Sequence, residues 1–191
     1  DGIHWTQMSD QPVITEGYFD SQNLAFWDGV RGHYVDFHRA LRGGPESIRP
    51  PTHEGSTKDM MTATSKDFLN WTEPVWLEYS QERWLKFSPR QTKRSPYIQF
   101  YTNQIVPYDR APHIYLGFPA RYVADREQLT PLNKRLSRSV EYFGTDYSDT
   151  GFITSRDGRH FKVWPEAFIR PGIVQKGRWV YADVFQNLGI I

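Results

Sequence analysis

The stretch Ser65-Lys66-Asp67-Phe68-Leu69-Asn70-Trp71 has two relatives in the same chain: Ser155-Arg156-Asp157-Gly158-Arg159-His160-Phe161 and Asp1-Gly2-Ile3-His4-Trp5. In each, an Asp is followed four residues later by Trp or Phe, and in two a Ser stands two residues before the Asp. Each then runs on to a proline, at Pro74, Pro165 and Pro12. The three Asp residues stand 66 and 90 residues apart, so the repeat is irregular and its copies are separated by loops of variable length. Recurrence on this scale marks an array built from one supersecondary unit. In such a turn the carboxylate accepts bonds from nearby backbone N–H groups, and the Ser hydroxyl adds another side-chain-to-backbone bond. Asp67, Asp157, Trp71 and Phe161 therefore read as folding elements, with the aromatic expected to pack between neighbouring sheets.

The surrounding sequence reads as short strands. Residues 17–27 form a turn and a strand, and Asp28-Gly29 with Arg31-Gly32 make a hairpin turn. Residues 33–41 alternate, with Val35 and Phe37 on one face and Tyr34, Asp36 and His38 on the other. Further strands are expected over 59–65, 74–79, 97–108, 110–122, 150–155, 167–170 and 178–185. Residues 43–55 and 125–149 read as loops, the latter with a short helical turn around 129–136. Strand, hairpin, strand, strand, Asp-turn, strand is the order that one propeller blade needs. At about 45 residues per blade, the chain is expected to be all-β, with three to four four-stranded antiparallel blades of a β-propeller. Residues 1–191 would be a single propeller domain, a truncated segment of a longer chain.

Composition agrees with that class. Among 191 residues are 7 Trp, 11 Tyr and 12 Phe, with 13 Pro and 14 Gly scattered along the chain, a pattern of many short strands and turns. No apolar run approaches the 18 residues of a membrane helix, so no membrane partner is expected. The net charge of +1 gives no general attraction to nucleic acid. A basic stretch at 81–95, with Arg83, Lys86, Arg90, Lys93 and Arg94 among Trp84 and Phe87, reads as a solvated insertion. Nucleic-acid binding through it is a distant third reading. The absence of Cys excludes disulfides, thiolate metal sites and a Cys nucleophile. The six His show no ligand spacing, no phosphate-loop or nucleophile-elbow motif is present, and no cofactor or metal is expected. Compartment stays open between export and cytoplasm.

Chemistry concentrates in three clusters. Phe19-Asp20-Ser21-Gln22-Asn23 is polar between apolar neighbours, where an innermost strand would line a channel. Its bland reading is a loop before a strand. Tyr108-Asp109-Arg110-Ala111-Pro112-His113 is expected at the start of another inner strand. There Arg110 could clamp a carboxylate or sugar hydroxyls and His113 could donate a bond. Its bland reading is an Asp109–Arg110 surface pair. Glu166 and Arg170 share one strand face among Trp164 and Phe168. A Glu desolvated by those rings would suit a general acid, and its bland reading is an exposed strand end. Glycosidases use two carboxyl groups flanking the scissile bond, which makes Asp20 and Glu166 the best pair, with Asp109 in reserve. Asn23, Arg110, His113 and Arg170 would bind substrate. Abundant Trp and Tyr suit the apolar faces of sugars.

Ser65-Lys-Asp-Phe-Leu-Asn-Trp71 resembles the S-x-D-(L/F)-x-x-W blade motif of five-bladed propeller glycoside hydrolases, families 32 and 43 and their relatives. Ser155-Arg-Asp-Gly-Arg-His-Phe161 is similar to the Asp-box of sialidases. The three clusters above resemble segments of a group of bacterial glycosidase-like proteins. The resemblance implies a five-bladed ring with a carbohydrate site in its funnel and Asp20 as nucleophile or base. The families' second-blade Asp precedes Pro, whereas here Ala111 precedes Pro112, and their acid Glu maps loosely to Glu166. The leading expectation is a glycosidase acting on an oligo- or polysaccharide. The alternative is a non-catalytic carbohydrate-binding or scaffold propeller.

Overall fold

A computed structural model describes residues 2–42, 57–80, 99–123 and 147–171. Every regular element among them is a strand, and no helix is present. The expected loop at 43–55, residues 125–146 of the one expected at 125–149, the basic stretch 81–95, the helical turn and the strand at 178–185 lie outside the described residues, whereas residues 147–149 are strand rather than loop.

The first sheet is an antiparallel meander of four neighbours in chain order: β1 (Leu24–Asp28), β2 (His33–Arg42), β3 (Thr57–Ser65) and β4 (Val75–Trp76). β2 and β3 pair over nine positions, from Tyr34↔Ser65 to Arg42↔Thr57. The β1–β2 hairpin closes on Asp28, whose Oδ1 accepts from the N–H groups of Val30 and Arg31, each at 3.0 Å. Gly32 follows at φ 65°, where a Cβ would be strained, and its N–H donates to Asp28 O at 2.8 Å.

The second sheet repeats this plan with interrupted strands. Its first strand is split into β6 (Gln99–Phe100) and β7 (Ile105–Tyr108), and its second into β8 (Ala111–Gly117) and β9 (Ala120–Val123). The third is β10 (Tyr147–Ser155) and the fourth β11 (His160–Ile169). β10 pairs with β8 through Ser155↔Tyr115 and with β9 through Thr150↔Ala120, so the break at 118–119 bends the second strand along one continuous neighbour. β5 (Glu78–Tyr79) leaves the far edge of the first sheet and adds in parallel to β11. The expected strand at 74–79 is thus divided between the two sheets.

The core lies between the sheets. Val35, Phe37, Met60 and Leu77 meet Phe100, Ile105, Tyr115, Ile153, Phe161 and Val163. Val35 and Phe37 share the core face expected from alternation, and each such buried side chain contributes about 1.5–3 kcal/mol relative to exposure. Phe161 packs there as expected, with its ring 6.2 Å from Phe37. Trp71 instead stays half-buried against Phe68, and Trp5 is exposed.

The two Asp-turns are superposable in their bonding. Asp67 Oδ1 accepts from the N–H groups of Leu69 (2.9 Å) and Asn70 (2.7 Å), and Asp157 Oδ1 from those of Arg159 (2.9 Å) and His160 (2.8 Å). Ser65 Oγ accepts from Phe68 N–H and Ser155 Oγ from Gly158 N–H, both at 2.9 Å. Each hydroxyl donates to its Asp at 3.0 Å. Each turn stands between the third and fourth strand of its sheet. Asp1 lies outside the described residues, but Gly2 after it has φ 75°, the same sign as Phe68 and Gly158.

Candidate functional site

β1 begins at Leu24, so residues 17–23 form no strand. They cross β2 as an irregular strap, held by the Tyr18 N–H donating to Arg39 O at 2.7 Å. Gly17 lies so close to the His38 ring that a Cβ there would fall 2.7 Å from His38 Cδ2. Phe19 covers the same ring, centroids 5.1 Å apart. Ser21 Oγ donates to Tyr101 O at 2.9 Å, and Asn103 Nδ2 donates to Gln22 O at 3.2 Å. Asn23, one of the expected substrate ligands, turns its amide back onto the strap, donating to Ser21 O at 3.0 Å.

Asp20 is carried on this strap with its side chain 56% exposed, and it is ion-paired with Arg39, whose side chain is 1% exposed. The Arg39 guanidinium lies between two rings, 4.9 Å from the Tyr18 centroid and 4.6 Å from that of Tyr101. Burial lowers the pKa of Arg39, against the opposing pull of Tyr101 and Tyr18. The Lys58 ammonium sits over Tyr122 at 4.4 Å and Tyr101 at 5.6 Å, extending the cation–aromatic layer.

Two further acids are buried alongside. Asp36 hydrogen-bonds to His38 Nδ1, and burial raises its carboxyl pKa although His38 opposes the rise. Asp59 accepts from Arg42 Nε at 2.6 Å and from the Tyr79 hydroxyl at 2.8 Å. Burial still raises its carboxyl, and burial with the Asp59 charge holds the Tyr79 phenol well above its usual range. Asp149 takes Arg121 at 2.5 and 2.8 Å. Arg121 also donates to Pro165 O at 3.1 Å, bracing β11 where four residues bulge out of register opposite Thr150 and Phe152.

The other residues singled out from sequence lie elsewhere in the fold. Asp109 and Arg110 are the exposed turn between β7 and β8, the place that the Asp28 hairpin takes in the first sheet. Residues 101–104 stand between the two halves of the second sheet's first strand, and Tyr101 and Asn103 there bond the Asp20 strap. His113 is exposed on β8, and its carbonyl accepts from Arg31 Nη2 at 3.1 Å. Glu166 stands on the bulged part of β11 with its side chain 83% exposed, paired with Arg170 at 3.3 Å. The rings of Trp164 and Phe168 thus leave its carboxylate in water rather than desolvating it. Asp20 and Glu166 engage different arginines, one buried and one exposed. A depression of 370 Å³ beside the Asp67 turn is lined by His33, Thr64, Lys66 and Asn70 among others, and contains none of the expected catalytic residues. Among the described residues, no three His, Asp or Glu side chains converge as metal ligands would.

Arg39, His38 and Asn103 were not evident as site residues in the sequence. Arg39 occupies a position that alternation assigns to the core face of β2, so a charge there was the one available signal.

No family model matches the chain, and no curated protein matches it. Among solved structures it is similar to an N-acetylgalactosamine deacetylase from F. plautii, determined in complex with blood group B trisaccharide. The TM-score is 0.51 at 12% identity, covering 87% of this chain and 37% of that one. It is also similar to a glycoside hydrolase candidate from Parabacteroides distasonis ATCC 8503 (TM-score 0.39, 14% identity, 74% of this chain and 30% of that). A glycosidase candidate from Bacteroides thetaiotaomicron VPI-5482 gives a TM-score of 0.40 at 12% identity, over 79% of this chain and 39% of that. The chain spans well under half the length of each. At 12% identity, the likeness to the deacetylase is one of fold.

Proposed function

We propose that the chain is part of a five-bladed β-propeller related to glycoside hydrolase families 32 and 43, with sialidase-type Asp-box turns, and that it binds and hydrolyses a glycosidic bond. Two consecutive meanders with the same Asp-turn between third and fourth strands support the propeller. The fold likeness to a deacetylase of an amino sugar supports a carbohydrate ligand.

The observation that carries the reading is the accessible Asp20 carboxylate set on a buried arginine. An opposite charge at contact favours the ionised form of a carboxyl group, as a nucleophile or base requires. In this reading Asp20 has that role, Glu166 is the acid and Asp109 the reserve carboxylate. Asn23, Arg110, His113 and Arg170 hold hydroxyls or a carboxylate. Because Glu166 faces water, its action as an acid depends on the sugar itself covering it.

The test is hydrolysis by Asp20→Asn and Glu166→Gln variants of confirmed fold. Loss of activity in both supports the roles, and near-full activity in either removes that residue. Carboxyl separations near 5–5.5 Å or 6.5–9.5 Å in a sugar complex match the retaining and inverting mechanisms.

A second reading, a non-catalytic carbohydrate-binding propeller, is favoured by the exposed Glu166–Arg170 pair. Saturable sugar binding with no hydrolysis of any glycoside would select it.

A further inference from the structure

Buried side-chain polar atoms in native proteins are almost always hydrogen-bonded, and each exception asks for a missing partner. Among the described residues the exceptions are Gln22 Oε1, His38 Nε2, Arg39 Nε and Nη1, and Asn103 Oδ1, Arg39 Nη2 being paired with Asp20. They are not scattered. Gln22 belongs to the strap 17–23, and Asn103 is bonded to the Gln22 carbonyl. His38 lies under Gly17 and Phe19, and Arg39 under Tyr18 and Asp20. Every orphaned atom therefore lies on or beneath the segment that carries Asp20.

We propose that the ground beneath this strap is a subsite for the hydroxyl groups of a neutral sugar ring. The proposal rests on the carbohydrate reading above and names the ligand of the same site. Arg39 reaches Asp20 through Nη2 and also bonds the Tyr101 side chain, and its five N–H groups leave further donor capacity at Nε and Nη1. Gln22 Oε1 and Asn103 Oδ1 are acceptors. A set that mixes donors and acceptors suits hydroxyls, which do both, whereas an anion uses donors alone. The Arg39 charge is already balanced by Asp20, which also argues against a sugar acid. The strap's backbone bond to β2 is that of Tyr18, and its other ties are the Asp20–Arg39 pair, the Phe19–His38 contact and the Ser21 and Gln22 bonds, so the ligand enters by displacing these.

The test is nitrogen-15 NMR of the full chain with glucose, galactose, mannose and galacturonate at high millimolar concentration, each present as both anomers. The expected result is saturable movement of the Arg39 Nε–Hε and Asn103 amide signals with at least one neutral hexose. Galacturonate should bind no more tightly than galactose. Gln22→Leu removes an acceptor that has no partner within the protein, so it should fold normally and weaken sugar binding about 2–10-fold. No movement with any of the three neutral hexoses overturns the proposal. So does galacturonate binding tenfold more tightly than galactose, or Gln22→Leu binding unchanged. Asp20-dependent hydrolysis without movement at Arg39 removes this subsite alone. Movement at Arg39 without hydrolysis keeps the subsite and removes the catalytic reading.

Discussion

Phe68 and Gly158 occupy the same place in two turns, each one residue after the Asp, at φ of 69° and 82°. Only the glycine adopts that backbone without cost. A Cβ at Gly158 would also fall 3.0 Å from Tyr115 Cε2. Gly158→Ala should therefore lower stability by about 1–2 kcal/mol in urea unfolding. Phe68 offsets its strain with ring contacts to Tyr34 (5.0 Å) and Trp71 (5.4 Å). Phe68→Gly relieves the backbone and loses those rings, and should stay within about 1 kcal/mol of the parent protein. A large loss in Phe68→Gly would show that the rings dominate.

The same turns set a pH response. The Asn70 backbone N–H, then the Asn70 side-chain amide and the Leu69 N–H, hold the Asp67 carboxyl well below its ordinary 3.8. Burial pushes Asp157 upward, but the N–H groups of His160 and Arg159 outweigh it and hold that carboxyl low as well. A depressed folded pKa stabilises above the unfolded value, and the contribution fades as pH falls below it. Asp36 and Asp59, raised by burial, act in the opposite sense. Asp67→Asn and Asp157→Asn should thus be less stable than the parent near pH 7, with the gap narrowing below about pH 4. Denaturant midpoints across that range measure it, and a gap constant with pH would rule out carboxylate ionisation as the cause.

These turns were legible because their chemistry is local: Ser, Asp and the donating N–H groups lie within six residues of one another. β2 was legible for a similar reason, its alternation being dictated by the two-residue period. The Asp20 strap was legible only as one of two readings, strand or loop before a strand, because what separates them is where the backbone bonds go. Tyr18 makes the strap's backbone bond to β2, and the rest is held by side chains of His38 and Arg39 on β2 and by Tyr101 and Asn103, all far away in sequence. For Glu166 the aromatic neighbours suggest a desolvated acid and the strand end an exposed one, and the exposed reading is the one found. Glu166 stands on the four residues between Trp164 and Ile169 that fall out of register, and such a bulge leaves no mark in the hydrophobic pattern.

Tyr115 and Asp28 join the two sheets. The Tyr115 hydroxyl donates to the Asp28 carboxylate, which also takes Arg31 Nη1 at 2.7 Å, while Arg31 lies over the Tyr115 ring at 4.5 Å. Burial raises the Asp28 carboxyl, but the Tyr115 and Arg31 bonds win and hold it low. Burial and Asp28 drive the phenol up. Arg31 Nη2 then caps the carbonyls of His113 and Arg156. Tyr115→Phe keeps the ring and removes the bond to a charged acceptor, and should cost about 1.5–3 kcal/mol in thermal or urea unfolding. A loss below about 0.5 kcal/mol would show that Arg31 alone satisfies Asp28.

Gly117 has no room for a side chain: a Cβ would lie 2.7 Å from Ile153 Cγ1 and 2.9 Å from Ile105 Cγ1. It pairs with both isoleucines across β10 and β7, at the point where the second strand bends. Gly117→Ala should overpack this junction and cost about 1–3 kcal/mol. Ile153→Val in the same chain frees volume beside it and should recover part of the loss. Strictly additive effects in that double mutant would place the strain elsewhere.

Asp20 and Glu166 should separate in stability as well as in activity. Asp20→Asn strips the counter-charge from an Arg39 that water does not reach, and breaking a buried pair leaves a charge uncompensated. With one partner half in solvent, the cost should be about 2 kcal/mol, below that of a fully buried pair. Glu166→Gln alters an exposed pair at 3.3 Å and should change stability by less than about 0.5 kcal/mol. Activity loss in Asp20→Asn must therefore be read at a temperature where the variant is folded, whereas loss in Glu166→Gln reports on chemistry directly. Equal stability of the two variants would mean that Arg39 finds another partner once Asp20 is gone, and the strap would then owe its position to His38 and the Tyr18 bond rather than to the charge.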